Sequence, residues 1–153
     1  MKILIAVDGS ECSDVAVEEV VKRPWPADSA ARIISVAETL PPEVLVLPPR
    51  YIEDIERAAR QRAQTIVERA IARLRDSDAR FLSLSSTIVI DSPKDAIVEE
   101  AERWGADLII VGSHGYRGPD RALLGSVSQA VATQAKCSVE IARRRRVDED
   151  EEC

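Results

Sequence analysis

The stretch Leu108-Ile109-Ile110-Val111 runs straight into Gly112-Ser113-His114-Gly115, and its reading decides the fold. Four apolar residues in a row, without polar alternation, read as a strand buried on both faces. The two glycines behind it let the backbone approach a ligand with no Cβ in the way. Further on, Gly125, Ser126 and Val127 open a short amphipathic segment. A buried strand that ends in glycines and feeds a helix start is how α/β proteins hold phosphate, because backbone N–H groups and the helix dipole face the anion. A nucleotide is therefore the ligand to which this stretch points.

The same alternation of strand and helix extends in both directions. Lys2–Val7 is another continuous apolar run, ended by Asp8-Gly9-Ser10, with Ser10 as N-cap of a helix carrying Val17, Val20 and Val21. Pro24-Trp25-Pro26 stops that helix, and Arg32–Ala37 reads as the second strand. From Leu40 to Pro49 runs a proline-rich excursion enclosing Val44-Leu45-Val46-Leu47, read as a loop packed over other structure. Tyr51 to Leu74 is the longest helical pattern, with Ile52, Ile55, Ala59, Ile66, Ala70 and Leu74 on a core-facing stripe. The third strand lies within Phe81–Ile90. Ser92-Pro93-Lys94-Asp95 starts a helix that Gly105 stops after Trp104. Asp107–Val111 is the fourth strand, a helix begins near Gly125-Ser126, and Ser138–Ala142 is the fifth strand. Strands separated by helices predict a single α/β domain over 1–142: an open five-stranded parallel sheet, Rossmann-like, with helices on both faces. Residues 143–153, where Arg143–Arg146 precede an acidic run ending in Cys153, read as a solvated tail.

Composition narrows the function classes. A chain of 153 residues has room for one such domain, burying roughly 68–70% of its unfolded surface. The net charge of −6 argues against a broad nucleic-acid surface, and 3% aromatic residues against base-stacking platforms. No apolar run approaches the length that spans a bilayer, and Lys2–Val7 is too short for a signal-peptide core, so the expected location is cytoplasmic. The three cysteines, Cys12, Cys137 and Cys153, form no CxxC pair and suit a reducing compartment. With one histidine, His114, there is no ligand set for structural zinc and no visible partner for a catalytic triad.

Ligands of open α/β sheets sit beyond the carboxyl ends of the strands, near a topological switch point. Three groups map there: Asp8 after the first strand, Val36 and Ala37 at the end of the second, and the glycine segment after the fourth. Asp8 suits a ribose hydroxyl or a Mg²⁺ ion rather than bare phosphate. Backbone groups near Val36 suit an adenine edge. Gly112, Ser113, His114 and Gly115 line the phosphate loop, Gly125, Ser126 and Val127 supply the helix start, and Arg117 and Arg121 stand between as candidate neutralising charges. A glycine pair alone reads as a turn; the combination reads as a nucleotide site.

The spacing Gly112-x2-Gly115-x9-Gly125-Ser126 resembles the G-x2-G-x9-G-[S/T] signature of ATP-binding universal stress proteins. Lys2-Ile-Leu-Ile-Ala-Val-Asp8-Gly-Ser10 is similar to that family's first strand, and the resemblance extends from Met1 to about Ala142. It implies a cytoplasmic stress-response protein that takes up ATP, ADP or AMP and acts as a nucleotide-dependent binding module, with a slow ATPase or nucleotidyl transferase on the same fold as the alternative. It also implies a homodimer through the last strand, with Val139 and Ile141 at the interface. Two residues depart from the pattern: Asp91 stands where the family usually has glycine, and Glu140 puts a charge on the last strand, which also lacks the common proline after Cys137. Other readings of the layout are a dimeric interaction protein without nucleotide, and a phosphorelay receiver, which Asp8 as the sole acid after the first strand disfavours.

Overall fold

In the computed structural model, which describes residues 1–115 and 123–144, nine elements alternate along the chain. They are β1 (Lys2–Ala6), α1 (Glu11–Lys22), β2 (Ala30–Ala37), α2 (Pro49–Arg75), β3 (Ser83–Ile90), α3 (Pro93–Trp104), β4 (Leu108–Gly112), α4 (Ser126–Gln134) and β5 (Ser138–Ala142). The strands form one parallel sheet in the order β3-β2-β1-β4-β5. The chain winds outward from β1 to one edge, returns, and continues from β4 to the other. The switch point therefore lies between β1 and β4.

Alternation along β1 divides the core into two layers. Ile3 and Ile5 face α1 and α2, packing with Val17, Val20, Val67 and Leu74. Leu4 faces α3 and α4, packing with Ile34, Ile97, Ile109 and Val131. Both central strands are buried on both faces, as their unbroken apolar runs require. Local signals end the helices as expected: the Ser10 hydroxyl accepts from Ser13 N–H at the start of α1, and Gly105 closes α3 at φ 71°.

Two expectations are corrected. The Leu40–Pro49 excursion is a loop of successive turns, with Val44, Leu45 and Leu47 N–H groups donating to Pro41, Pro42 and Val44 carbonyls, but of its central apolar run only Val44 is half-buried. Val46 is 83% exposed and Leu45 57%. The stripe along α2 is core only in its second half, from Ala63 through Val67 and Ala70 to Leu74, whereas Ile55 is exposed. Length is the reason. The 27 residues of α2 run about 40 Å, whereas the eight residues of β2 beneath it run about 26 Å.

A buried ionic cluster sits under α3. Glu100 is 4% exposed and accepts from Arg32 of β2 at 2.6 Å and from Arg103 one turn on. The Arg32 guanidinium also stacks over the Trp104 ring, 4.5 Å from its centroid.

Candidate functional site

The loops after β1 and β4 meet across the switch point. Asp8 Oδ1 accepts from the Ser10 backbone N–H at 2.9 Å, a short-range turn that leads into α1. On the β4 side, a Cβ on Gly115 would fall 3.1 Å from Asp8 Oδ2, so the two loops touch through this carboxylate. Sequence reasoning placed both residues near one ligand, and the structure brings them together.

Gly112 has a different reason to be glycine. A Cβ there would lie 2.6 Å from both the carbonyl carbon and oxygen of Cys12 and 2.9 Å from Ser13 N. The end of β4 is pressed against the first turn of α1, so this glycine permits close packing rather than approach to a ligand. Ser113 is buried; its N–H donates to Ala142 O, and its hydroxyl stands 3.1 Å from His114 Nδ1 and 3.8 Å from Cys12 Sγ. His114 Nε2 is a buried nitrogen without a hydrogen-bond partner.

Gly125 is the N-cap of α4, and its own N–H is taken by Ser113 O at 2.8 Å. The expected donor at this position is thus already used to fasten α4 to the β4 loop. The next three N–H groups, of Ser126, Val127 and Ser128, precede the first intrahelical acceptor, Gly125 O, which Gln129 N–H reaches. No side chain caps this end. The Val127 side chain packs into the α3–α4 core layer, leaving its backbone to serve the site. Ser126 is exposed.

Sequence reasoning missed Ser128. Its buried hydroxyl donates to Gly112 O at 2.7 Å and ties the first turn of α4 to the end of β4. A serine three residues after Gly125 was visible, but nothing local shows that it turns inward rather than to solvent.

Val36 is half-buried at the end of β2, and the adjacent Ala37 O accepts from Asp91 N–H. The Asp91 carboxylate accepts from Ser92 N–H at 2.6 Å, so this departure serves the turn into α3. Glu140 is likewise accounted for within the chain: it forms a bidentate pair with Arg23, the C-cap of α1, and this hydrogen bonding raises the Arg23 pKa further. Val139 and Ile141 are half-buried against the α3–α4 layer. Arg117, Arg121 and the tail from residue 145, with Cys153, lie outside the described residues.

The topology defines an open, doubly wound α/β protein whose switch point lies between β1 and β4. The universal stress protein family matches residues 1–143, and the chain belongs to that family. Universal stress protein YxiE of Bacillus subtilis is 27% identical over 148 residues, covering 93% of this chain and 98% of its own. The solved structure of hypothetical protein MJ0577 is 27% identical and superposes with a TM-score of 0.81, covering 94% of this chain and 96% of that one. An Arabidopsis thaliana family member, At3g01520, solved with AMP bound, shares the fold at 18% identity and a TM-score of 0.68, over 95% of this chain and 92% of its own. No described helix is long and apolar enough to cross a membrane.

Proposed function

We propose that this protein binds an adenine nucleotide at the β1/β4 switch point and acts as a nucleotide-dependent binding module in the cytoplasm. The observation that carries the reading is the uncapped start of α4. Three backbone N–H groups without intrahelical acceptors open beside the Gly112–Gly115 loop, at the positive end of a helix dipole. Ser126, Val127 and Ser113–Gly115 would hold the phosphates. The contact between Asp8 and Gly115 supports a place for the carboxylate beside a ribose hydroxyl or a phosphate-bound Mg²⁺. Backbone at Val36 would meet the adenine. The AMP-bound Arabidopsis protein is an example of this fold holding such a ligand.

In this reading the domain is 1–142, with 143–153 a tail, and two copies pair along the free edge of β5 near Val139 and Ile141. Internal neutralisation of Glu140 by Arg23 supports edge pairing, because the strand then carries no bare charge.

Isothermal titration of nucleotide-free protein with Mg·ATP, ADP and AMP tests the proposal. Micromolar binding of at least one, at one site per chain, is expected. Absence of heat and of competition for all three overturns it.

A further inference from the structure

Exposed large apolar side chains are concentrated on one feature. Leu45, Val46 and Leu47 of the β2–α2 loop, with Tyr51 and Ile55 of α2, are all exposed, and Ile52 and Ala59 beside them are half-buried. The position of Ile66 shows where this feature stands. Its Cδ1 lies 3.0 Å from where a Cβ of Gly9 would be, just past the carboxyl end of β1. Because α2 runs back toward the start of β3, the 17 residues of α2 that precede Ile66 lead away beyond that edge, about 25 Å of helix. An apolar stripe of Ile52, Ile55 and Ala59, at helical spacing, continues along this arm after the sheet has ended.

The arm carries a charge order that selects its occupant. Glu53, Asp54 and Glu56 lie in its early turns, and Arg57, Arg60 and Arg62 follow. Glu53, Glu56 and Arg60 share one flank of the stripe by their three- and four-residue spacing. Arg57 pairs with Asp54 within the arm at 2.8 Å, and two such arms laid antiparallel with Ile55 opposite Ala59 set Glu53 and Asp54 of each beside Arg60 of the other. A parallel arrangement opposes like charges.

We propose that this arm is an interface for a second copy of the same chain, formed by antiparallel pairing of the first half of α2. The helix that carries the arm packs on β2 and β3, at the opposite end of the strand order from β5. It is a second contact through which copies assemble.

Sizing chromatography with light scattering on the full chain, over a concentration series, tests it. Ile55→Glu alters an exposed residue and is expected to halve the mass of the assembly, both alone and in a Val139→Glu background, with an unchanged thermal melt. Glu53→Arg with Glu56→Arg in one chain, and Arg57→Glu with Arg60→Glu in another, are each expected to self-associate less and to recover association when mixed. An unchanged mass for Ile55→Glu, a Val139→Glu protein already monomeric at the highest concentration, or no recovery on mixing overturns the proposal. Nucleotide titration of the same variants reads the site separately.

Discussion

The Asp8 carboxylate lies where a side chain on Gly115 would begin, with Oδ2 only 3.1 Å from the Cβ position. The loops after β1 and β4 are thus coupled at the switch point by one missing carbon. Gly115→Ala is expected to displace Asp8 and weaken adenine-nucleotide affinity while the melting temperature stays close to that of the parent, since the residue is exposed. Titration and calorimetry on the same sample separate the two effects. Undiminished affinity would place the ligand away from this contact.

Gly112→Ala should behave in the opposite way. Its Cβ would meet backbone, Cys12 C and O at 2.6 Å, and backbone cannot swing aside as a side chain can. A stability loss of about 1–3 kcal/mol is expected from such overpacking, read as a lower denaturant midpoint. A parent-like midpoint would mean that β4 and α1 are less tightly apposed.

Glu100→Ala is expected to cost about 3 kcal/mol, because it leaves the Arg32 guanidinium beneath α3 without its carboxylate partner, with only the Ser85 hydroxyl to accept from it. Arg103→Ala, by contrast, removes a largely exposed partner of the same carboxylate and should change stability by roughly 0–1 kcal/mol. Equal losses in chemical denaturation would show that the ion pair under α3 is not governed by burial.

Burial raises the Cys137 thiol above its ordinary pKa, and the charge of Asp107 adds to the effect. The folded state therefore favours the neutral thiol. The stability this contributes is present below the unfolded-state pKa and declines as the pH rises through the higher folded-state value. Alkylation of Cys137, followed by peptide mass mapping, should be slow near neutrality and accelerate only in the alkaline range. Rapid modification at neutral pH would contradict a thiol partly shielded by its surroundings.

Edge pairing through β5 has its own test. Val139→Glu places an unpaired charge on the strand beside Glu140 and should halve the assembly mass at concentrations where the parent pairs along this edge. Arg23→Ala, which strips Glu140 of its partner, should weaken the same pairing to a lesser degree. A mass indifferent to both changes would move assembly entirely elsewhere.

Most of the architecture was legible locally. The unbroken apolar runs of Lys2–Val7 and Leu108–Val111, the Ser10 cap and the Gly105 stop each specify their element through residues within one or two turns, and all are found. The β4 strand, its glycines and the start of α4 were legible for the same reason, since they are close together in the chain. The sequence by itself thus determined the order of elements, the parallel sheet and the edge on which a ligand site can form.

What the tertiary structure decided concerns contacts between distant residues. Periodicity gave α2 one long core stripe from Ile52 to Leu74, but only packing shows that the sheet ends before the helix does, leaving Ile55 in solvent. Gly112 and Gly115 look equivalent in sequence, yet one is confined by the backbone of Cys12 and the other by the carboxylate of Asp8, more than 100 residues earlier. Glu140 read as a charge that disturbs the last strand; its pairing with Arg23, 117 residues away, makes it part of the fold. Local pattern measures how a residue suits its own helix or strand. Which atoms press on it from elsewhere is fixed only when the chain closes on itself.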